Sequence, residues 1–168
     1  MDHYHSIPEN KFRIVIISDT HGYLNSHVNN LITEDDYVIH AGDIMDQSII
    51  QELKISSKKI FAVNGNNDNF ESINDIEYID TLIGKIIITH GDQHYPDYHT
   101  SLRNKFNDAF LIVYGHTHKH VIDMNKKPYV VNPGAAGKIR TQGGASCILL
   151  SLFNKKLSLE LVKFTDDK

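Results

Sequence analysis

The chain has 168 residues, 17 of them Lys or Arg against 21 Asp or Glu, for a formal net charge of −4. That length suffices for one compact domain whose core needs no covalent staples, and that charge supplies no basic field for gripping a large nucleic-acid surface. A single cysteine, Cys147, excludes an intramolecular disulfide and a thiolate metal cage, and no apolar run approaches the roughly eighteen residues of a membrane span.

The default setting that these features imply is cytoplasmic. Residues 1–10 are polar and read as a loose leader without the charged-then-apolar order of a signal peptide, and residues 11–168 read as a single domain. Residues 11–18 are a β-branched run, short enough for a strand buried on both faces. Leu24, Val28, Leu31 and Ile32 sit at helical spacing within 24–33. Residues 37–41 form a second strand, 46–55 a second helix carrying Ile49, Ile50 and Leu53, and 59–63 a third strand that stops at the turn-rich Asn64-Gly65-Asn66-Asn67-Asp68. Strand alternating with helix predicts parallel pairing through crossovers.

The second half predicts mostly strands. Residues 76–82 and 85–89 flank Ile83-Gly84 as a hairpin, and 98–107 suit a helix. Residues 110–114, 121–124, 129–131, 145–153 and 157–164 are strands, the last two separated by Asn154-Lys155-Lys156. Cys147 lies in an apolar run and reads as a buried, inert thiol.

Eleven histidines are the compositional oddity, and their positions matter more than their number. Asp19-Thr20-His21 follows the first strand, Gly42-Asp43 the second and Gly65-Asn66 the third, while Thr89-His90-Gly91 and Gly115-His116-Thr117-His118 each follow a later apolar run. Loops beyond the carboxyl ends of strands in an open α/β sheet converge on one crevice, so these scattered residues can share a site. The two-residue spacing within Asp19-x-His21 and His116-x-His118 predicts an extended backbone that turns both side chains one way. Taken singly, each motif has an ordinary reading as a cap, a turn or a strand-end histidine. Taken together they are a mixed oxygen and nitrogen donor set of two aspartates, one asparagine and four histidines. That set suits borderline divalent ions, Mn²⁺ first and Ni²⁺, Fe²⁺, Zn²⁺ or Co²⁺ as well, and exceeds what one tetrahedral zinc needs.

This ordered set of five motifs resembles the calcineurin-like metallophosphoesterase superfamily, and Asn132-Pro133-Gly134 after it is most similar to the small phosphodiesterase branch. The resemblance implies an α/β fold, a four-layer αββα sandwich of two mixed β-sheets flanked by helices. It implies that Asp19, His21 and His118 hold a first divalent ion, that Asn66, His90 and His116 hold a second, and that Asp43 bridges them. The implied activity is hydrolysis of a small phosphate ester, through in-line attack of a metal-bridging hydroxide, with Asp43, Asn66 and Asp68 as catalytic residues and Asp68 expected to orient a histidine. The same branch contains the retromer scaffold subunit, so a protein-interaction scaffold that retains a metal site is the alternative; a homo-oligomer is also left open.

The chain departs from larger relatives at Asn67, where many carry a histidine that the resemblance gives the role of protonating the leaving group or touching the phosphate; asparagine cannot supply a proton. Outside the motifs, His40 reads as packed, His3, His5, His27 and His120 as solvated, and His94 and His99 as candidates for the rim of the site. The segment 134–138 lacks the full spacing of a phosphate-binding loop and reads as a structural turn.

Overall fold

The structure is a computed structural model, and it describes residues 3–138 and 145–165. A five-stranded sheet is built from β2 (Phe12–Ile17), β3 (Tyr37–His40), β4 (Lys59–Ala62), β10 (Ala145–Phe153) and β11 (Lys156–Phe164), in the order β11-β10-β2-β3-β4. A six-stranded sheet holds β1 (Tyr4–Ile7), β5 (Ile76–Thr81), β6 (Gly84–Thr89), β7 (Leu111–Val113), β8 (Val121–Asp123) and β9 (Tyr129–Asn132), in the order β1-β5-β6-β7-β9-β8. Both sheets are mixed: β2, β3 and β4 pair in parallel through crossovers, whereas β10 runs antiparallel to β2 and β5 antiparallel to β6.

Three apolar clusters define four layers. Ile14, Ile16 and Ile39 from one sheet pack against Ile86, Ile88 and Val113 from the other, so the largest core lies between the sheets. Val15, Ile17 and Val38 on the outer face of the five-stranded sheet pack under α1 (Ser26–Leu31) and α2 (Gln47–Ser56). Ile87, Ile112 and Val130 on the outer face of the other sheet pack under α3 (Tyr98–Lys105). The apolar run Ile14 to Ile17 in β2 follows from this, because a strand with helices on one side and a second sheet on the other has no polar face to offer there; Arg13, near its start, reaches Asp36 instead. Burying each isoleucine contributes roughly 1.5–3 kcal/mol against chain entropy.

The helices start where their caps dictate. Asp46 accepts from the Ser48 amide at 2.8 Å and opens α2, whose Ile49, Ile50 and Leu53 face the core. Asn25 accepts from His27 in the same way, and this cap leaves Leu24 outside α1 while Ile32 is already extended. The helix is therefore shorter than the apolar spacing predicts.

The expected loose leader is corrected for residues 4–7, which form β1 alongside β5. Alternation explains it: Ile7 is buried and His5 half-buried, while Tyr4 and Ser6 face outward. His5 lies 2.8 Å from Glu77, so it is not a solvated side chain, and the Tyr4 ring stacks on Tyr78 at 4.8 Å. Cys147 is buried as expected, and burial pushes its thiol up to about 12. Among the described residues no helix is long and apolar enough to cross a membrane.

Candidate functional site

Five strands deliver the site. Asp19 lies just beyond β2, Asp43 beyond β3, Asn66 beyond β4, His90 immediately after β6, and His116 and His118 beyond β7. Backbone hydrogen bonds stitch these loops together: Asp19 donates to the Gly42 carbonyl (2.9 Å), His21 to Asp43 (3.0 Å) and Gly115 to His90 (3.0 Å). The His116 amide, which donates to Asp19 Oδ2 at 3.0 Å, joins loops of the two halves of the chain at one end of the sandwich.

The backbone here is strained rather than extended. Asp19, His21, Asp43, His116 and His118 all have φ between 47° and 67°, a region that non-glycine residues seldom occupy. The expectation of extended Asp-x-His and His-x-His pairs is thus corrected: the pairs do converge, but through left-handed turns at the strand ends. Five such residues in one place represent strain that the surrounding structure must hold, a pattern that concentrates at functional sites. Close packing makes the same point at Gly115, where a Cβ would stand 1.9 Å from Ser18 Oγ and 2.7 Å from Asp19 Oδ2.

The side chains form one continuous set. His21 Nε2 and His118 Nε2 are 3.0 Å apart, and they lie 3.8 and 3.3 Å from Asp19 Oδ1. Asp43 spans the middle, with Oδ2 3.5 Å from His21 Nε2 and Oδ1 3.5 Å from His90 Nε2. Asn66 Oδ1 completes the far end, 3.0 Å from His90 Nε2 and 3.1 Å from His116 Nδ1. Asp19, His21 and His118 could hold one metal ion, and Asp19, Asp43 and His90 also bring their ligand atoms within the reach of one ion.

Two observations bear on what belongs there. Asp19 Oδ2 accepts from Ser18 Oγ and from the His116 amide, yet Asp19 Oδ1 is fully buried and has no hydrogen-bond partner. A buried carboxylate oxygen without a donor is costly, and facing two imidazole nitrogens it makes a cradle for a cation. His90 Nδ1 donates to the Ala41 carbonyl at 2.8 Å, which fixes the tautomer and leaves the Nε2 lone pair aimed into the site. This donor set fits a divalent metal.

The Asp43 carboxyl feels opposing influences. Burial raises its pKa, but hydrogen bonding to His90 and to the Asn67 backbone and side chain overrides this and holds it well below the usual carboxylate range. His90 is driven down by burial and up more strongly by Asp43 and Asp19, for a net rise.

Asn67 is the functional residue that sequence reasoning read only for what it lacks. Its backbone amide donates to Asp43 Oδ1 at 2.9 Å and its side-chain amide to Oδ2 at 2.8 Å, so it orients the central carboxylate. Its place directly after Asn66 was the available signal. Asp68 also differs from expectation: its carboxylate accepts from the Ile44, Met45 and Gly65 amides at 2.8–3.0 Å, pinning the loop that carries Asp43 instead of orienting a histidine.

The other histidines separate clearly. His40 is buried and held by Thr20 Oγ1 at 3.0 Å, and burial lowers it to about 4, so it is packed and neutral. His94 lines a cleft of about 420 Å³ together with Asn66, Asp68 and His90, whereas His99 bonds Asp123 and Tyr114. His27 stacks on Phe164. The segment after Pro133 is a structural turn: Ala136 donates to the Ser18 carbonyl and accepts from the Asn25 amide.

Comparison with known proteins shows the family and the fold. Residues 12–155 match the model of the calcineurin-like phosphoesterase superfamily domain. Phosphodiesterase MJ0936 of Methanocaldococcus jannaschii is 32% identical over 140 residues, covering 73% of this chain and 82% of that protein. A single mutant of Vps29 from Entamoeba histolytica has the same fold, with a TM-score of 0.74 at 20% identity over 92% of this chain and all of that one. Wild-type Vps29 from the same organism, complexed with Zn²⁺, gives a TM-score of 0.71 at 20% identity over 90% of this chain and 98% of that one.

Proposed function

The chain belongs to the calcineurin-like phosphoesterase superfamily, and from that premise we propose that it is a metal-dependent phosphodiesterase with two divalent ions at the strand ends. The observation that carries the proposal is the buried Asp19 Oδ1, which accepts no hydrogen bond and faces the Nε2 atoms of His21 and His118. Asp19, His21 and His118 would hold the first ion and Asn66, His90 and His116 the second, with Asp43 available to both. Manganese is the first candidate for both positions, since the donors are oxygen and imidazole nitrogen without sulfur. Ions bound there would lower the pKa of a coordinated water and neutralise charge on the phosphoryl oxygens.

The chain's own residues do the positioning. Asn67 fixes both oxygens of Asp43, Asp68 fixes the loop beneath it, and Ala41 fixes the His90 ring. Preorganised groups of this kind are the main source of acceleration in phosphoryl transfer. With asparagine at position 67, that position offers no proton to the leaving oxygen, which favours esters whose alcohol departs readily, aryl or cyclic diesters above all.

The scaffold reading draws on the fold likeness to Vps29, but the complete donor set argues for catalysis. A purified, chelated sample should hydrolyse bis(p-nitrophenyl) phosphate only after Mn²⁺ is restored, and Asp43→Ala should abolish turnover. Undiminished hydrolysis by the metal-stripped protein would overturn the reading, and a stoichiometric protein partner together with no turnover on a diester panel would favour the scaffold.

A further inference from the structure

From the loop after His90 to just beyond β7 the chain builds a group of tyrosine rings that the reaction above leaves without a role. Tyr98 opens α3, where Asp97 caps the helix by accepting from the Thr100 amide at 3.2 Å. Its ring lies 6.4 Å from the His116 ring, tilted by 45°, and stacks on Tyr114 at 5.8 Å with an 18° interplanar angle. Tyr114 is buried, with its hydroxyl 3.0 Å from His99 Nε2, and His99 Nδ1 lies 2.8 Å from Asp123. A carboxylate only accepts, so His99 donates from Nδ1, and the neutral imidazole accepts a hydrogen bond from the Tyr114 hydroxyl at Nε2. Arg103, 3.1 Å from the same Asp123 oxygen, closes the chain. Tyr98 thus rests on a floor fixed by hydrogen bonds rather than by apolar packing alone.

Tyr95 extends the group outward. Its ring meets Tyr98 in a T-shaped pair with centroids 6.4 Å apart, yet the residue is 78% exposed. The rings therefore run in sequence from His116 through Tyr98 to a solvent-facing Tyr95. A tyrosine held this way offers a flat, amphipathic surface at little ordering cost, since only two side-chain torsions must be fixed.

We propose that Tyr95 and Tyr98 form an aromatic wall beside the metal centre that stacks on the planar ring of the substrate, so that the preferred esters are aryl or nucleoside phosphates. This rests on the phosphodiesterase reading for the phosphate's position, and it adds the surface that would select a planar ring in the alcohol attached to it. Tyr114, His99 and Asp123 are positioning residues for the wall. Stacking of one ring is sequence-tolerant and moderate in strength, so the wall selects for planarity rather than for one base.

The test uses binding, which does not depend on turnover. Isothermal titration of the Mn²⁺-loaded protein with thymidine 5′-monophosphate, phenyl phosphate and ribose 5-phosphate compares two ring-bearing phosphates with one that lacks a ring. At least one ring-bearing ligand should bind roughly five- to a hundredfold tighter than ribose 5-phosphate, and Tyr95→Ala and Tyr98→Leu should erase that advantage while leaving ribose 5-phosphate unchanged. Which ring binds better identifies nucleoside or aryl esters as the source. Tyr95 is exposed, so its replacement leaves the core intact, and Tyr98→Phe should keep the preference. Equal affinity for all three ligands, or a preference that survives both substitutions, overturns the wall even if the protein proves to be a phosphodiesterase. A ring preference without diester turnover would leave the wall standing and remove the activity.

Discussion

Asn67 donates twice to Asp43, from its backbone to one carboxylate oxygen and from its side-chain amide to the other. The residue that cannot supply a proton to a leaving group instead fixes the carboxylate on which both halves of the site converge. Asn67→Ala keeps the backbone bond and loses the other. Groups that orient a metal ligand commonly contribute about 10–100-fold in affinity or activity, so titration of the variant should show weaker Mn²⁺ binding in that range with an unchanged thermal midpoint.

Asp68 should act on the same carboxylate through the backbone. Its three amide bonds hold residues 44, 45 and 65 in place. Asp68→Ala leaves those donors unmatched at a cost of about 1–3 kcal/mol, read as a lower midpoint in urea, and it should also weaken metal binding. A variant as stable as the parent would contradict this role.

Gly115→Ala is expected to damage the centre without touching a ligand. The new Cβ would overlap Ser18 Oγ and crowd Asp19 Oδ2, and overpacking of this kind costs about 1–3 kcal/mol. Because Ser18 and Asp19 must give way together, diester turnover should fall even at temperatures where circular dichroism shows the variant folded.

Away from the site, Asp36 gives a prediction in pH. It is buried, and burial raises its carboxyl pKa, but Arg13 at 2.6 Å and the Thr33 amide at 2.8 Å override this and leave it lowered. A carboxyl whose folded pKa lies below its unfolded value of about 3.9 contributes stability above that pH and loses it as pH falls through the folded value. Asp36→Asn should therefore reduce stability at pH 7 by about 1–3 kcal/mol, and the gap from the parent should narrow in melts carried below pH 4.

The sequence made most of the framework legible because its elements carry strong local signals. The run from Ile14 to Ile17 is apolar on both faces, and Asp46 and Asn25 cap helices in the usual way. The sandwich itself came from the resemblance, since alternating strands and helices do not say that two sheets stack. The first strand was hidden because Tyr4–Ile7 buries only Ile7 fully, and its partner β5 lies some seventy residues away. In the site, residue types and order singled out the side chains that the fold gathers, but not the left-handed turns that present them or the work of Asn67 and Asp68. Those roles depend on which amide meets which oxygen, and that is a matter of distance rather than spacing. His94 and His99 looked alike in sequence, yet one lines the cleft and the other locks Tyr114.

The central claim is most directly tested by anomalous diffraction from crystals grown with Mn²⁺. Two peaks about 3.5–4 Å apart are expected, with Asp43 between them, Asp19, His21 and His118 on one and Asn66, His90 and His116 on the other. A single tetrahedral ion that leaves Asp43 or Asn66 without a role would contradict the account.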